Sequence, residues 1–184
     1  MKEILAILLG GVLLNNYALL HFMGISTVLG GAKEIKKSVV MGLAVTAVSV
    51  VAAVIAWPVE RLVLTPLGLS YLQTLTFTAI VLVSAALVAL AAKALVKKPL
   101  GIWLPLVALN SAVLGVVVNN AAGQLTFVES LVAALASGLG FLLAMVLFCG
   151  VRSRIEEQYI PKTLRGLPVH LMAAAIIALA LYAF

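Results

Sequence analysis

Ser26 and Ser111 occupy the same five-residue frame. Ser26-Thr27-Val28-Leu29-Gly30 reads against Ser111-Ala112-Val113-Leu114-Gly115. Each hydroxyl sits in an apolar run, beside residues that loosen a helix. Gly24 precedes the first element and Gly30-Gly31 close it; Pro105 and Asn110 precede the second and Gly115 closes it. Backbone groups freed by Gly or Pro must, at lipid depth, face protein or a cavity. Two such elements would make a polar place inside an apolar chain. One reading is a pair of broken helices meeting at a pseudo-two-fold axis. The other is small residues at a helix–helix contact. The recurrence of the element favours the first.

The remaining polar residues point to structure more than to chemistry. Asn15-Asn16 and Asn119-Asn120 are expected to bridge helices or sit at an interface, with each amide hydrogen bond worth only ~0.6–2 kcal/mol. His21, near the inner end of the first span, is expected to bond a neighbouring helix rather than relay protons. His170, Trp57, Trp103, Tyr71 and Tyr182 suit interfacial positions. Cys149 stands alone and reads as a small apolar residue. Nothing forms a Ser/His/Asp set, a metal-ligand cluster or a phosphate loop, so no catalytic residue is assigned. All six acidic residues, Glu3, Glu34, Glu60, Glu129, Glu156 and Glu157, fall at span ends. A path for ions inside this chain would then lack a buried carboxylate.

The elements that hold these residues are set by the solvent. The chain is 65% hydrophobic and 10% charged over 184 residues, with a mean hydropathy of +1.26. A soluble domain is nearer half apolar and a quarter charged, so a bilayer is the environment that fits. The net charge of +6 does not indicate nucleic acid, because the cations cluster between apolar spans. Those spans are Ile4–Phe22, Val39–Trp57, Tyr71–Val96, Ile102–Asn120, Leu131–Val151 and Val169–Phe184. Each approaches the ~20 residues of a crossing helix. The first has no small-residue cleavage site after it and reads as a retained helix. Trp57-Pro58 is expected to end the second span, and Lys97-Lys98-Pro99 separates the third from the fourth.

The first, third and fifth connections carry Lys33, Lys36, Lys37, Lys93, Lys97, Lys98, Arg152, Arg154, Lys162 and Arg165; only Lys2 and Arg61 lie elsewhere. Ten against two places the basic connections in the cytoplasm and both termini outside. Six helices divide into halves of three, about residues 1–97 and 98–184. An odd number per half inverts the second. Ser38-Val39-Val40-Met41-Gly42-Leu43-Ala44 and Ser130-Leu131-Val132-Ala133-Ala134-Leu135-Ala136 continue the internal match. The expected fold is therefore an all-α integral membrane protein. Its six transmembrane helices form two inverted three-helix repeats, with the first and fourth helices broken, and its functional site lies between the halves.

Several runs carry a family resemblance. Leu14-Asn15-Asn16-Tyr17, Phe22 through Gly30, Met41 through Thr46, Pro66 through Thr74, Leu100 through Leu106, Asn110 through Val116, Gly138 through Phe141, Val151 through Arg154 and Arg165 through Pro168 follow one another in family order. They resemble the A-type membrane subunits of the Rnf ferredoxin–NAD oxidoreductases and the E-type membrane subunits of the sodium-pumping NADH–quinone reductases. The resemblance implies a multi-subunit complex in the inner (cytoplasmic) membrane, coupling electron flow from ferredoxin or NADH to Na⁺ or H⁺ export. It also implies a homologous sister membrane subunit, E-type in Rnf and D-type in the sodium pump. A 2Fe-2S cluster is implied between the two, held by a cysteine from each half-helix element. Those cysteines would fall at Ser26 and Ser111. Thiolate is the usual ligand of such clusters, and serine hydroxyl is a harder donor that loses its proton far less readily. No cofactor is therefore expected on this chain. The connection after the third span is also shorter than in the family, and an acidic residue expected late in that span is absent.

Fold and lineage transfer; electron transfer through this chain is in doubt. The alternative is a non-redox scaffold or small inverted-repeat carrier, or a designed or engineered version of the fold without activity.

Overall fold

The computed structural model describes residues 2–14, 16–31, 34–96, 110–156 and 159–182. Among the described residues every regular element is helical. Helix α1 (Lys2–Leu9) continues as one π-helical turn, Gly10–Leu14. After a non-helical stretch comes α2 (Ile25–Gly31). Helix α3 (Ile35–Val59) runs on as a π-helical turn, Glu60–Leu64. A 3-10 turn at Ser70–Leu72 leads into α4 (Gln73–Val96). Then follow α5 (Ser111–Ala122), α6 (Phe127–Arg152) and α7 (Leu167–Tyr182). The Lys97-Lys98-Pro99 connection, Trp103, Pro105 and Asn15 lie outside the described residues, and so does the first part of the fourth span.

Among the described residues, three helices are long and apolar enough to cross a bilayer: Ile35–Leu64, Ser70–Ala94 and Phe127–Arg152. Ser111–Ala122 and Leu167–Ala180 are apolar but shorter. Half of the most apolar window is buried in α3 and in α6, against 22% in α4. The α3–α6 pair is thus the centre of the molecule, and α4 shows most of its surface to its surroundings.

α3 and α6 are antiparallel and nearly touch backbone to backbone. A Cβ on Gly42 would lie 2.8 Å from the Leu142 Cα, and one on Gly138 would lie 2.6 Å from the Thr46 Cα. In lipid, water does not drive helices together, so close packing through small residues must do it. Ser38 and Ser130, paired by the internal match, are each the fourth residue of these helices and each buried. α6 starts on a capping box: the Thr126 amide donates to the Glu129 carboxylate at 2.9 Å, and the Thr126 hydroxyl accepts from the Glu129 amide. This satisfies amides that the helix leaves unpaired.

Two expectations need correcting. Trp57-Pro58 does not end the second helix; Pro58 lies inside α3, which carries on to Leu64. Proline removes one donor and crowds the carbonyl four residues back, and a helix can absorb this with a widened turn just beyond. The π turn at Glu60–Leu64 supplies it. In consequence Glu60 lies within a continuous helical run; the residue is half-buried, with its Oε2 shielded. The first span also differs. Its helix stops at Leu14 and resumes at Ile25, so the break precedes the Ser26 element, which is itself helical.

Candidate functional site

The break in the first helix is built by Asn16. Its Oδ1 accepts from the amides of Ala18 (3.0 Å) and Leu19 (3.3 Å). Its Nδ2 donates to the carbonyls of Val12 (3.1 Å) and Gly140 (2.8 Å). One buried amide thus closes the turn after α1 and ties it to α6. Phe22 and Gly24 then take left-handed backbone angles, φ 53° and 75°. For phenylalanine that conformation is strained. It reverses the chain so that α2 can start, with the amides of Thr27 and Val28 donating to the Gly24 carbonyl.

The second element starts at Asn110, whose Oδ1 accepts from the Ala112 amide at 2.9 Å and caps α5. Asn110 is 1% exposed, and its Nδ2 has no hydrogen-bond partner. The two elements meet here. The Gly24 amide donates to the Ser111 Oγ at 2.7 Å. The space a Gly24 Cβ would need is filled by the Asn110 Oδ1 and by Phe141. Farther along, Gly115 packs against the Met23 sulfur so closely that a Cβ there would overlap it. Glycine is required at position 24 by both φ and space.

Ser26 and Ser111 lie at the starts of α2 and α5, and both residues are exposed, as is Gly30. Thr27 and Val28 beside Ser26, and Ala112 and Val113 beside Ser111, are buried. The hydroxyl-bearing side of each short helix therefore faces away from this chain's own core. His21 is exposed within the break, its ring 5.7 Å from that of Tyr17. At the other end of α2, Arg152 on α6 donates to the Leu29 carbonyl at 2.9 Å.

The other polar pairs behave as bridges. Asn119 donates to the Tyr17 hydroxyl at 3.0 Å. Asn120 donates to the carbonyl and hydroxyl of Ser130. Trp57 donates to the Leu125 carbonyl and meets Phe127 edge-on. His170 is buried on the first turn of α7 against Phe148. Cys149 is buried in the main apolar cluster.

Sequence reasoning did not find Asn16 as the organiser of the break, nor Arg152 as the tie on α2. An amide pair after an apolar run and a basic residue ending a span are each common, and only the distant partners of Asn16 and Arg152 make them distinctive.

As metal ligands, Ser26 and Ser111 do not fit a thiolate-held cluster. Their hydroxyls are hard donors, and the Ser111 oxygen already accepts from Gly24. The one thiol, Cys149, points into the core on another helix.

A family model described as Rnf-Nqr subunit, membrane protein, matches residues 4–184. The A subunit of the ion-translocating oxidoreductase complex of Syntrophotalea carbinolica is 43% identical, covering 100% of this chain and 97% of that protein. The A subunit of the Na(+)-translocating ferredoxin:NAD(+) oxidoreductase complex of Acetobacterium woodii is 40% identical over 97% of this chain and 94% of that protein. The A subunit of the ion-translocating oxidoreductase complex of Edwardsiella ictaluri is 38% identical over 100% and 97%. Matched along almost its whole length by the family model and by these relatives, the chain belongs to the Rnf-Nqr family of membrane subunits.

Proposed function

We propose that this chain is the A-type membrane subunit of an Rnf-type ion-translocating oxidoreductase complex. It docks a homologous sister subunit across the face that carries Ser26 and Ser111. The observation that carries this reading is the meeting of the break before α2 with the start of α5, where Gly24 is bonded to Ser111, and the exposure of both serines. An outward-facing polar break suits a protein partner better than lipid, because lipid offers freed backbone no hydrogen-bond partner. The relatives' printed names supply the complex: ion-translocating, and in one case ferredoxin:NAD(+) oxidoreductase. The two halves, residues 1–97 and 98–184, are read as inverted repeats. Both termini face outward and the basic connections face the cytoplasm, following the charge distribution.

Within that complex the two serines hold no iron–sulfur cluster. Donor chemistry supports this, since neither hydroxyl can replace a thiolate. The chain then contributes binding surface and the gating geometry of the paired short helices, while electrons pass elsewhere. The serine pair equally favours a second reading, a scaffold or carrier that kept the fold and lost the redox centre.

Co-purification with the sister subunit, followed by iron analysis and a visible spectrum, tests the proposal. A stable pair without stoichiometric iron is the expected result. Stoichiometric iron with a two-iron spectrum refutes the metal-free reading, and failure of the two subunits to associate refutes the docking face. Ion flux through this chain alone selects the carrier. A tag at Phe184 reached only from the cytoplasm overturns the orientation.

A further inference from the structure

A cavity of about 220 Å³ lies where α3 ends and α6 begins, at the end of the bundle remote from Lys36 and Arg152. Its polar lining includes Glu60, Arg61, Thr65, Asn120, Gln124 and Ser130. Glu60 opens the π-helical turn that follows Pro58. Single π turns in α-helices are rare and concentrate at functional sites, because the extra residue re-aims side chains. The Glu60 Oε1 accepts from the Thr65 hydroxyl at 3.4 Å. The Oε2 is buried and has no hydrogen-bond partner. A buried carboxylate oxygen without a donor or counter-charge is costly. Arg61 does not supply that charge: its guanidinium donates to the Gln124 carbonyl at 2.8 Å. Among the described residues no cation forms an ion pair with Glu60.

We propose that this cavity is a binding site for a small, hard, monovalent cation, with the Glu60 carboxylate as the charged ligand. Hydroxyl and amide oxygens of Thr65, Ser130, Asn120 and Gln124 complete the oxygen set. Hard cations take oxygen ligands of this mixed kind. The Asn120 amide nitrogen is committed to Ser130 on α6, at 3.1 Å to its carbonyl and 2.9 Å to its hydroxyl. That leaves its oxygen as the ligating end. The Glu60 carboxylate by itself balances one positive charge and not two, and Arg61 on the same wall adds a positive charge that weighs further against a divalent ion. The Arg61 charge also keeps the ion loosely held and exchangeable. The site shares no residue with the Ser26–Ser111 face, so it stands apart from the assignment of partner and complex.

The test uses the full chain in lipid nanodiscs, titrated with Na⁺ against choline at constant ionic strength. Calorimetry reads binding, and infrared difference spectra read the carboxylate stretch. The expected result is saturable, Na⁺-specific binding with a shifted carboxylate band. Glu60→Gln weakens it at least tenfold, Asn120→Ala weakens it several-fold, and Arg61→Gln tightens it several-fold. If Glu60→Gln does not fold, the Asn120 and Arg61 variants carry the test. Absence of a Na⁺-specific signal in the folded chain overturns the proposal. So does a carboxylate signal that follows pH equally in Na⁺ and choline, which makes Glu60 a proton site. Weaker binding in Arg61→Gln, or preferential binding of Mg²⁺ or Ca²⁺, overturns the sign or the valence.

Discussion

The Gly24 amide donates to the Ser111 hydroxyl at 2.7 Å, joining residues from opposite halves of the chain at the starts of two short helices. Gly24 holds φ at 75°, and the place of its missing Cβ is taken by Asn110 and Phe141. Gly24→Ala adds left-handed strain and overpacking, each of order 1–3 kcal/mol. The variant is expected to lose thermal stability in detergent clearly, by about 2 kcal/mol or more on that scale. Ser111→Ala removes one hydrogen bond and is expected to cost about 1 kcal/mol. Equal melting of Gly24→Ala and the native chain would show that the two halves do not meet there.

The α3–α6 contact makes a sharper comparison. Gly42 and Gly138 have no room for a Cβ, whereas Gly150 on the same α6 has nothing within 4 Å. Gly138→Leu is expected to split the pair and abolish the folded state or cut its yield severely, since overpacking already costs ~1–3 kcal/mol for a few added atoms. Gly150→Ala is expected to be neutral or to stabilise by up to about 1 kcal/mol, because alanine is the better helix former. Unfolding curves of the two variants side by side check this. Similar stability for both would refute the register.

Much of this fold was legible because lipid leaves the chain few options. The spans around α3, α4 and α6 were visible as continuous apolar runs, and the Ser26 and Ser111 elements as a repeated frame. Pro58 misled, because proline's local cost was weighed without the widened turn that Glu60–Leu64 provides. With Pro58 inside the helix, the Glu60 carboxylate moves from a span end to a cavity wall, and no local pattern announces that. Asn16 was equally opaque. Its partner carbonyl, on Gly140, is 124 positions away in the chain, and only the packing of α1 against α6 brings the two together.

The serine positions allow a gain-of-function test. Ser26 and Ser111 are exposed at the starts of the two short helices. Replacing both with cysteine restores the softer, more acidic ligand that iron–sulfur clusters use. Co-expressed with a cysteine-bearing sister subunit, Ser26→Cys/Ser111→Cys is expected to acquire iron and visible absorbance, while the native chain and each single variant do not. Native chain carrying as much iron as the double variant would refute the metal-free assignment. A double variant that pairs with its sister yet stays colourless would show that the two positions do not face a shared site.

Arg152 offers the last test. Its guanidinium donates to the Leu29 carbonyl at 2.9 Å, from the end of α6 to the last turn of α2. A seven-residue helix cannot hold itself together, since nucleation outweighs what so few internal bonds return. α2 therefore depends on its ties, and a cation over its carbonyl end is one of them. Arg152→Gln keeps a donor but loses the charge and much of the reach. The expected cost is ~1.5–3 kcal/mol, the range for a hydrogen bond to a charged group. The loss should be local. Hydrogen exchange across residues 25–31 is expected to quicken about tenfold, while the middle of α3, packed on α6, stays protected. Nine of the ten basic residues in the odd connections remain, so the orientation in the membrane should hold and the comparison stays clean. Unchanged exchange in α2, or equal loosening of α2 and α3, would show that Arg152 does not hold the short helix in place.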